Sequence, residues 1–272
     1  MSRLSSRRVY VNLQPAAVRA VLRRGRLRLT MLAEHVSAMP ERCSSVELVA
    51  AVTDVLAELS GKGPTAGAKL QVDLPDRMFL YDVAKGEFSG MSNGQLDTVA
   101  RACTGELLGE DAATSVVKWQ LQRDERHMLI CALPRALVDQ VAAAAQRQRL
   151  ALTSVCSDFV THWNRAQRRR IGPKAVIAVA SGDDALIALI DSGVVTTLTN
   201  GPWNPSSPSG FASDATAASD ATAAFDLHVD RQVASVGWCS DEDVEFLVVR
   251  TGDQRGPTSP RWKALASEEI FP

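Results

Sequence analysis

Residues 9–25, VYVNLQPAAVRAVLRRG, and residues 176–193, VIAVASGDDALIALIDSG, decide the fold. In the first, Val9, Val11 and Leu13 alternate with Tyr10, Asn12 and Gln14. Pro15 then interrupts the run before Val18-Arg19-Ala20-Val21-Leu22 resumes it. Period-two alternation marks a strand with one buried face, and Pro or Gly between two such runs marks a turn. Gly25 turns the chain again, and the alternation of Leu27-Arg28-Leu29 predicts a third strand. The second stretch repeats this plan. Its strands fall at 175–180, 185–190 and 194–199, with turns at Ser181-Gly182-Asp183 and Asp191-Ser192-Gly193. A strand–loop–strand–turn–strand unit in each half predicts a duplicated α/β architecture.

Other elements fill the space between the two units. Val46, Val49, Val52, Val55, Leu56 and Leu59 give residues 45–59 the apolar face of a helix, with Ser44 or Ser45 as N-cap. Strands are predicted at 69–74 and 78–83, and a helix at 93–108 between Ser92 and Gly109. Residues 116–122 and 127–133 read as a hairpin around Arg123-Asp124-Glu125-Arg126. Pro134 opens an Ala-rich helix to about residue 149. A strand follows at 150–155, then a helix capped by Ser157 or Asp158 and carrying Phe159, Val160 and Trp163. Residues 201–224 hold Pro202, Pro205, Pro208 and the repeat SDATAA at 213–218 and 219–224, a composition that predicts a flexible loop. A helix at 226–236, a strand at 244–249 and a loose tail over 253–272 complete the reading.

A net charge of −1 gives no global attraction to nucleic acid or membrane. The first thirty residues nevertheless carry Arg3, Arg7, Arg8, Arg19, Arg23, Arg24, Arg26 and Arg28 and no acid. Several alternate with apolar residues and fit the solvent face of a half-exposed sheet. The five cysteines are scattered and odd in number, which fits free thiols in a reducing compartment. No apolar run approaches bilayer length, so the expected location is cytoplasmic. His35, His127, His162 and His228 have no partner at ligand spacing, and no GxSxG, P-loop or GxGxxG occurs. The run 165–170, RAQRRR, beside Trp163, leaves open an adaptor that binds nucleic acid through its Arg-rich segments.

The duplicated units resemble those of the actin-like ATPase superfamily. Within it the chain is most similar to the pilus-assembly protein PilM and the cytoplasmic domain of the type II secretion protein GspL. Three stretches carry the resemblance: residues 9–25, residues 116–155 (VVKWQLQRDERHMLICALPRALVDQVAAAAQRQRLALTSV) and residues 175–195 (AVIAVASGDDALIALIDSGVV). It implies a ribonuclease H-like duplicated fold of two lobes. The first is expected over 1–170, with an inserted hairpin-helix subdomain at about 68–155, and a shortened second lobe over 171–252 with a flexible loop at 201–224.

In such a fold the two hairpin loops cradle nucleotide phosphates, and an Asp in each holds the metal or its water shell. Here the phosphate-loop positions are Asn12, Gln14, Ala178, Ala180, Ser181 and Gly182. Asn12 and Ala178 stand where acids belong, and Ala180 where Gly belongs. Pro15 has no N–H to donate. Neither Asn nor Ala offers Mg²⁺ an anionic ligand. The Gly-Gly adenosine motif is absent too, since 233–240 holds only Gly237. The resemblance therefore implies a non-catalytic cytoplasmic scaffold of a type IV pilus or type II secretion-like system. It would bind an inner-membrane assembly protein and lie peripherally at that membrane, with no cofactor or metal. A divergent but active ATPase that binds Mg-ATP is the enzyme alternative.

Overall fold

The computed structural model describes residues 7–14, 16–25, 29–40, 43–167, 171–181, 184–202, 214–236, 238, 244–250 and 261–264. Both hairpins form as the alternation demands. β1 (Arg7–Gln14) runs antiparallel to β2 (Ala17–Arg24), and β2 to β3 (Thr30–Ala38). The third strand thus begins after the predicted Leu27-Arg28-Leu29. Residues 26–28 lie outside the described part, and the pairing segment is the longer β-rich run that contains Val36. α1 (Ser45–Lys62) starts with a capping box in which Ser44 and Glu47 satisfy each other's backbone N–H, and it buries Leu48, Val52, Val55, Leu56 and Leu59.

β4 (Lys69–Leu74) joins β1 in parallel. A 3-10 turn at Asp76–Met78 then leads into β5 (Leu80–Lys85). α2 (Asn93–Leu108), β6 (Ser115–Leu121) and β7 (His127–Pro134) follow, giving a three-stranded sheet of order β5-β7-β6. α3 (Arg135–Arg147) returns to pack on α1, and β8 (Ala151–Ser157) closes the first sheet as β3-β2-β1-β4-β8.

α4 (Asp158–Ala166) carries the chain to the second lobe, where the pattern recurs. β9 (Lys174–Ser181), β10 (Asp184–Asp191) and β11 (Val194–Pro202) form a meander. α5 (Asp214–Ser235) precedes β12 (Val244–Arg250), which lies parallel to β9, and β13 (Trp262–Ala264) lies parallel to β12. The order β11-β10-β9-β12-β13 copies the first sheet strand for strand.

Two expectations about the second lobe are corrected. The repeat SDATAA-SDATAA is helix from Asp214 onward, part of α5, whereas residues 203–213 lie outside the described part. Half of the repeat is Ala, the strongest helix former, and that propensity outweighs its low complexity. In the tail read as loose, Trp262–Ala264 is a strand. Arg261 ties it down through ion pairs to Asp226 at 3.2 Å and Asp230 at 2.7 Å, and it also lies 4.5 Å above the Phe246 ring.

One core crosses between the lobes: Val11 and Leu13 belong to the same cluster as Ile177, Val179 and Leu186. Gln122, just past β6, fastens the inserted sheet to the second lobe by copying a strand pairing. Its amide Nε2 donates to Val195 O at 2.7 Å, and its Oε1 accepts from Val195 N at 2.7 Å. Arg123 then lies over the β10–β11 turn, in which Ser192 and Gly193 both have positive φ. At Gly193 (φ 74°) a Cβ would sit 2.7 Å from the Arg123 guanidinium. Gly193→Ala is expected to lower stability by about 1–2 kcal/mol, mostly from left-handed strain, readable as a reduced urea midpoint at unchanged slope.

Candidate functional site

Each leading hairpin closes through a two-residue turn. Gln14 faces Ala17 in one, and Ser181 faces Asp184 in the other. Counted inward from the turns, Asn12 on β1 corresponds to Val179 on β9, and Leu13 to Ala180. Ala178 therefore does not occupy the place that matches Asn12. It packs beneath α5 with Phe225 and Val229, on the face of β9 opposite Val179. Ala180 is buried and Gln14 is half-buried at the hairpin end. Ser181 ends β9, and its side chain lies outside the described part, as do Pro15, Gly182 and Asp183. Of the predicted positions whose side chains are described, Asn12 reaches a cluster of chemically active groups.

That cluster consists of three acids that the sequence reading did not single out. The parallel register sets Asp73 of β4 beside Asn12 of β1. Asp76 comes from the 3-10 turn just beyond, and Asp158 from the first residue of α4. None is more than 5% exposed. Asn12 Nδ2 donates to Asp158 Oδ1 at 3.2 Å, and Gln71 Nε2 to Asp73 Oδ1 at 2.9 Å. Asp76 receives the Tyr81 hydroxyl at 2.6 Å and the Phe159 backbone N–H at 3.1 and 3.2 Å. Its backbone carbonyl accepts from Asn200 Nδ2 of β11 at 2.9 Å.

Burial dominates the electrostatics. It pushes the Asp76 carboxyl up to about 6, against the lowering effect of the hydrogen bonds from Tyr81, Phe159 and Ser157. Asp158 is raised well above the usual carboxylate range by burial first, then by the negative charges of Asp76 and Asp73. The same burial, with Asp76 close by, raises the Tyr81 phenol and pushes the Cys131 thiol up to about 12. Toward the second lobe, Asp76, Arg77, Val179, Asp184 and Asn200 border a void of only about 10 Å³, room for one water. Among the described residues no group of three or more His, Cys, Asp and Glu side chains is arranged to hold a metal ion.

A second concavity is larger and of different character. Met78, Phe79 and Leu80 on one side and Leu108, Leu133 and Pro134 on the other line an open groove of about 490 Å³. It lies where the 3-10 turn, the end of α2 and the start of α3 meet, and Asp111 and Arg77 stand at its rim.

With this geometry the chain has the actin-like ATPase fold: two lobes of identical strand order, each led by a hairpin, with a sheet inserted in the first. The particular form is that of the PilM and GspL type. A structure of the PilM–PilN type IV pilus biogenesis complex aligns over 91% of this chain and 82% of its own, with a TM-score of 0.69 at 11% identity. The cytoplasmic domain of EpsL, an inner-membrane component of the type II secretion system of Vibrio cholerae, aligns over 97% and 91%, with a TM-score of 0.58 at 10% identity. A Bacteroides thetaiotaomicron protein of actin-like ATPase fold and unknown function aligns over 92% and 84%, with a TM-score of 0.57 at 10% identity. No protein-family model matches the sequence, and no curated protein matches it. Among the described residues no helix is long and apolar enough to cross a membrane.

Proposed function

We propose that this protein is a non-catalytic scaffold of a type IV pilus or type II secretion-like assembly, binding a segment of an inner-membrane partner from the cytoplasmic side. The observation that carries the non-catalytic part is the use made of Asn12. At the position where the fold's nucleotide-hydrolysing members present an anion to the metal, this chain presents an amide donor, and Asp158 consumes it. The remaining acids are desolvated, and their hydrogen bonds hold β5 and α4 in place. A carboxylate occupied in this way is poorly suited to activating water. The likeness of the fold to the EpsL domain and the PilM–PilN complex supports the assembly role.

Binding of a partner segment is assigned to the groove between the 3-10 turn and the end of α2. Its lining is mainly aliphatic and aromatic, with Arg77, Asp111, Thr114 and Ser115 among it, the character of a site for an extended or helical peptide with apolar anchors. Calorimetry tests both halves of the reading. Mg-ATP titrated into the purified protein is expected to give no saturable heat, and a micromolar or tighter dissociation constant would overturn the non-catalytic assignment. A peptide from the cytoplasmic segment of a PilN-like bitopic membrane protein is expected to bind, and Leu108→Glu to weaken that binding about tenfold or more. Binding that the substitution leaves unchanged would remove the groove from the proposal.

A further inference from the structure

Asp76 and Asp158 sit where every part of the molecule meets. Asn12 brings in β1, Tyr81 the inserted sheet, and Phe159 the helix linking the lobes, while Asn200 reaches across from β11 of the second lobe. Asp158 Oδ2 is buried without any hydrogen-bond partner. A bare carboxylate oxygen in that position costs far more than a neutral, protonated carboxyl. The charged and titratable groups around the pair include Asp73 from β4, Arg77 from the turn, Tyr81 from β5, Cys131 from β7 and Asp184 from β10, with the buried His162 one turn after Asp158 on α4. Arg77 turns its guanidinium toward Cys43 Sγ, 3.6 Å away. Among the described residues no cation acts on either carboxyl.

We propose that Asp76 and Asp158 form a proton-linked latch between the lobes, closed when the pair holds a proton and strained when both carboxyls are ionised. With one proton in the pair, a single negative charge is distributed over the Tyr81, Phe159 and Asn12 donors. Removing it leaves two charges, with Asp73 beside them, in a buried junction whose Asp76 backbone carbonyl is gripped by Asn200 of β11. Both carboxyls titrate higher in the folded chain than in the unfolded one. Their contribution to stability is therefore complete below about pH 4. It is lost as pH rises through about 6 for Asp76, and through the raised range of Asp158.

The test is thermal unfolding of the full chain from pH 5 to 8.5, comparing the parent protein with Asp158→Asn and Asp76→Asn. Asn keeps the Oδ1 acceptor for Asn12 or for Phe159 but cannot ionise. Other titrating groups contribute equally to all three proteins, so the latch appears in the differences. Asp158→Asn is expected to melt close to the parent at pH 5 and about 3 °C or more above it at pH 8. Hydrogen exchange at the β11 amides, corrected for intrinsic rate, is expected to speed up between pH 5 and 8 in the parent and to change little in the variant. A variant that tracks the parent's slope across this range overturns the latch. So does exchange in β11 that is indifferent to pH. If Asp158→Asn fails to fold, Asp76→Asn decides by the same difference.

Discussion

Replacing Asn12 by Asp, the change that nominally restores the fold's first phosphate-loop acid, is expected to destabilise the protein instead of creating a metal site. The new carboxylate would face Asp158 Oδ1 across 3.2 Å, with Asp73 adjacent on the next strand. The donor that Asp158 now uses would be gone. An uncompensated charge in a buried position costs about 3–5 kcal/mol, a large share of the roughly 5–15 kcal/mol that holds a typical domain together. Burial and repulsion hold the Asp158 carboxyl above its unfolded range, so the deficit should shrink toward pH 5 and widen toward pH 8. Urea titrations at the two pH values check the sign. A variant as stable as its parent at pH 8, with Mg-ATP binding gained, would contradict the scaffold reading at its main support.

Phe159→Ala is expected to be nearly as damaging for a different reason. The ring is fully buried and stands edge-on to Tyr81, 6.0 Å between centroids, and Tyr81 in turn stacks on Phe79 at 5.9 Å. This aromatic file runs from the helix linking the lobes into the inserted sheet. Removing its first member leaves a cavity beneath the Asp76 junction, and such truncations cost about 3–5 kcal/mol. Chemical denaturation followed by circular dichroism reads the loss directly. Phe159→Leu, which refills most of the volume, should recover more than half of it.

The two hairpins were legible because short apolar runs broken by Pro or Gly turns are a strong local signal, repeated in both halves of the chain. The strand predicted at Leu27-Arg28-Leu29 falls mostly outside the described residues, and the described partner of β2 is the longer run Thr30–Ala38. The helix in the repeat was missed because composition was weighed for its capacity to build a core, whereas Ala-rich sequence forms helix on backbone grounds alone. The acids at 73, 76 and 158 escaped notice for a topological reason. They come from a strand end, a 3-10 turn and a helix start, and only the parallel pairing of β1 with β4 and of β4 with β8 draws them together. One sequence signal did exist. Asp76 follows Pro75 at the end of a buried strand, and Ser157-Asp158 opens a helix at the end of another, so both sit at the carboxyl edge of one sheet, where α/β folds gather their polar chemistry.

The doubled SDATAA has a further consequence for how this chain tolerates change. Each copy adds six residues, about 9 Å of helix and one and two-thirds turns. Placed inside a packed helix, such an insertion would swing every downstream anchor to a new azimuth. Here the anchors Phe225, Val229 and Val233 all follow the second copy, so their phase relative to β9 and β10 is set from the carboxyl side. Copy number then alters how far α5 extends before these anchors. Replication slippage at this locus can lengthen or shorten the helix in steps while leaving the second lobe's core in register.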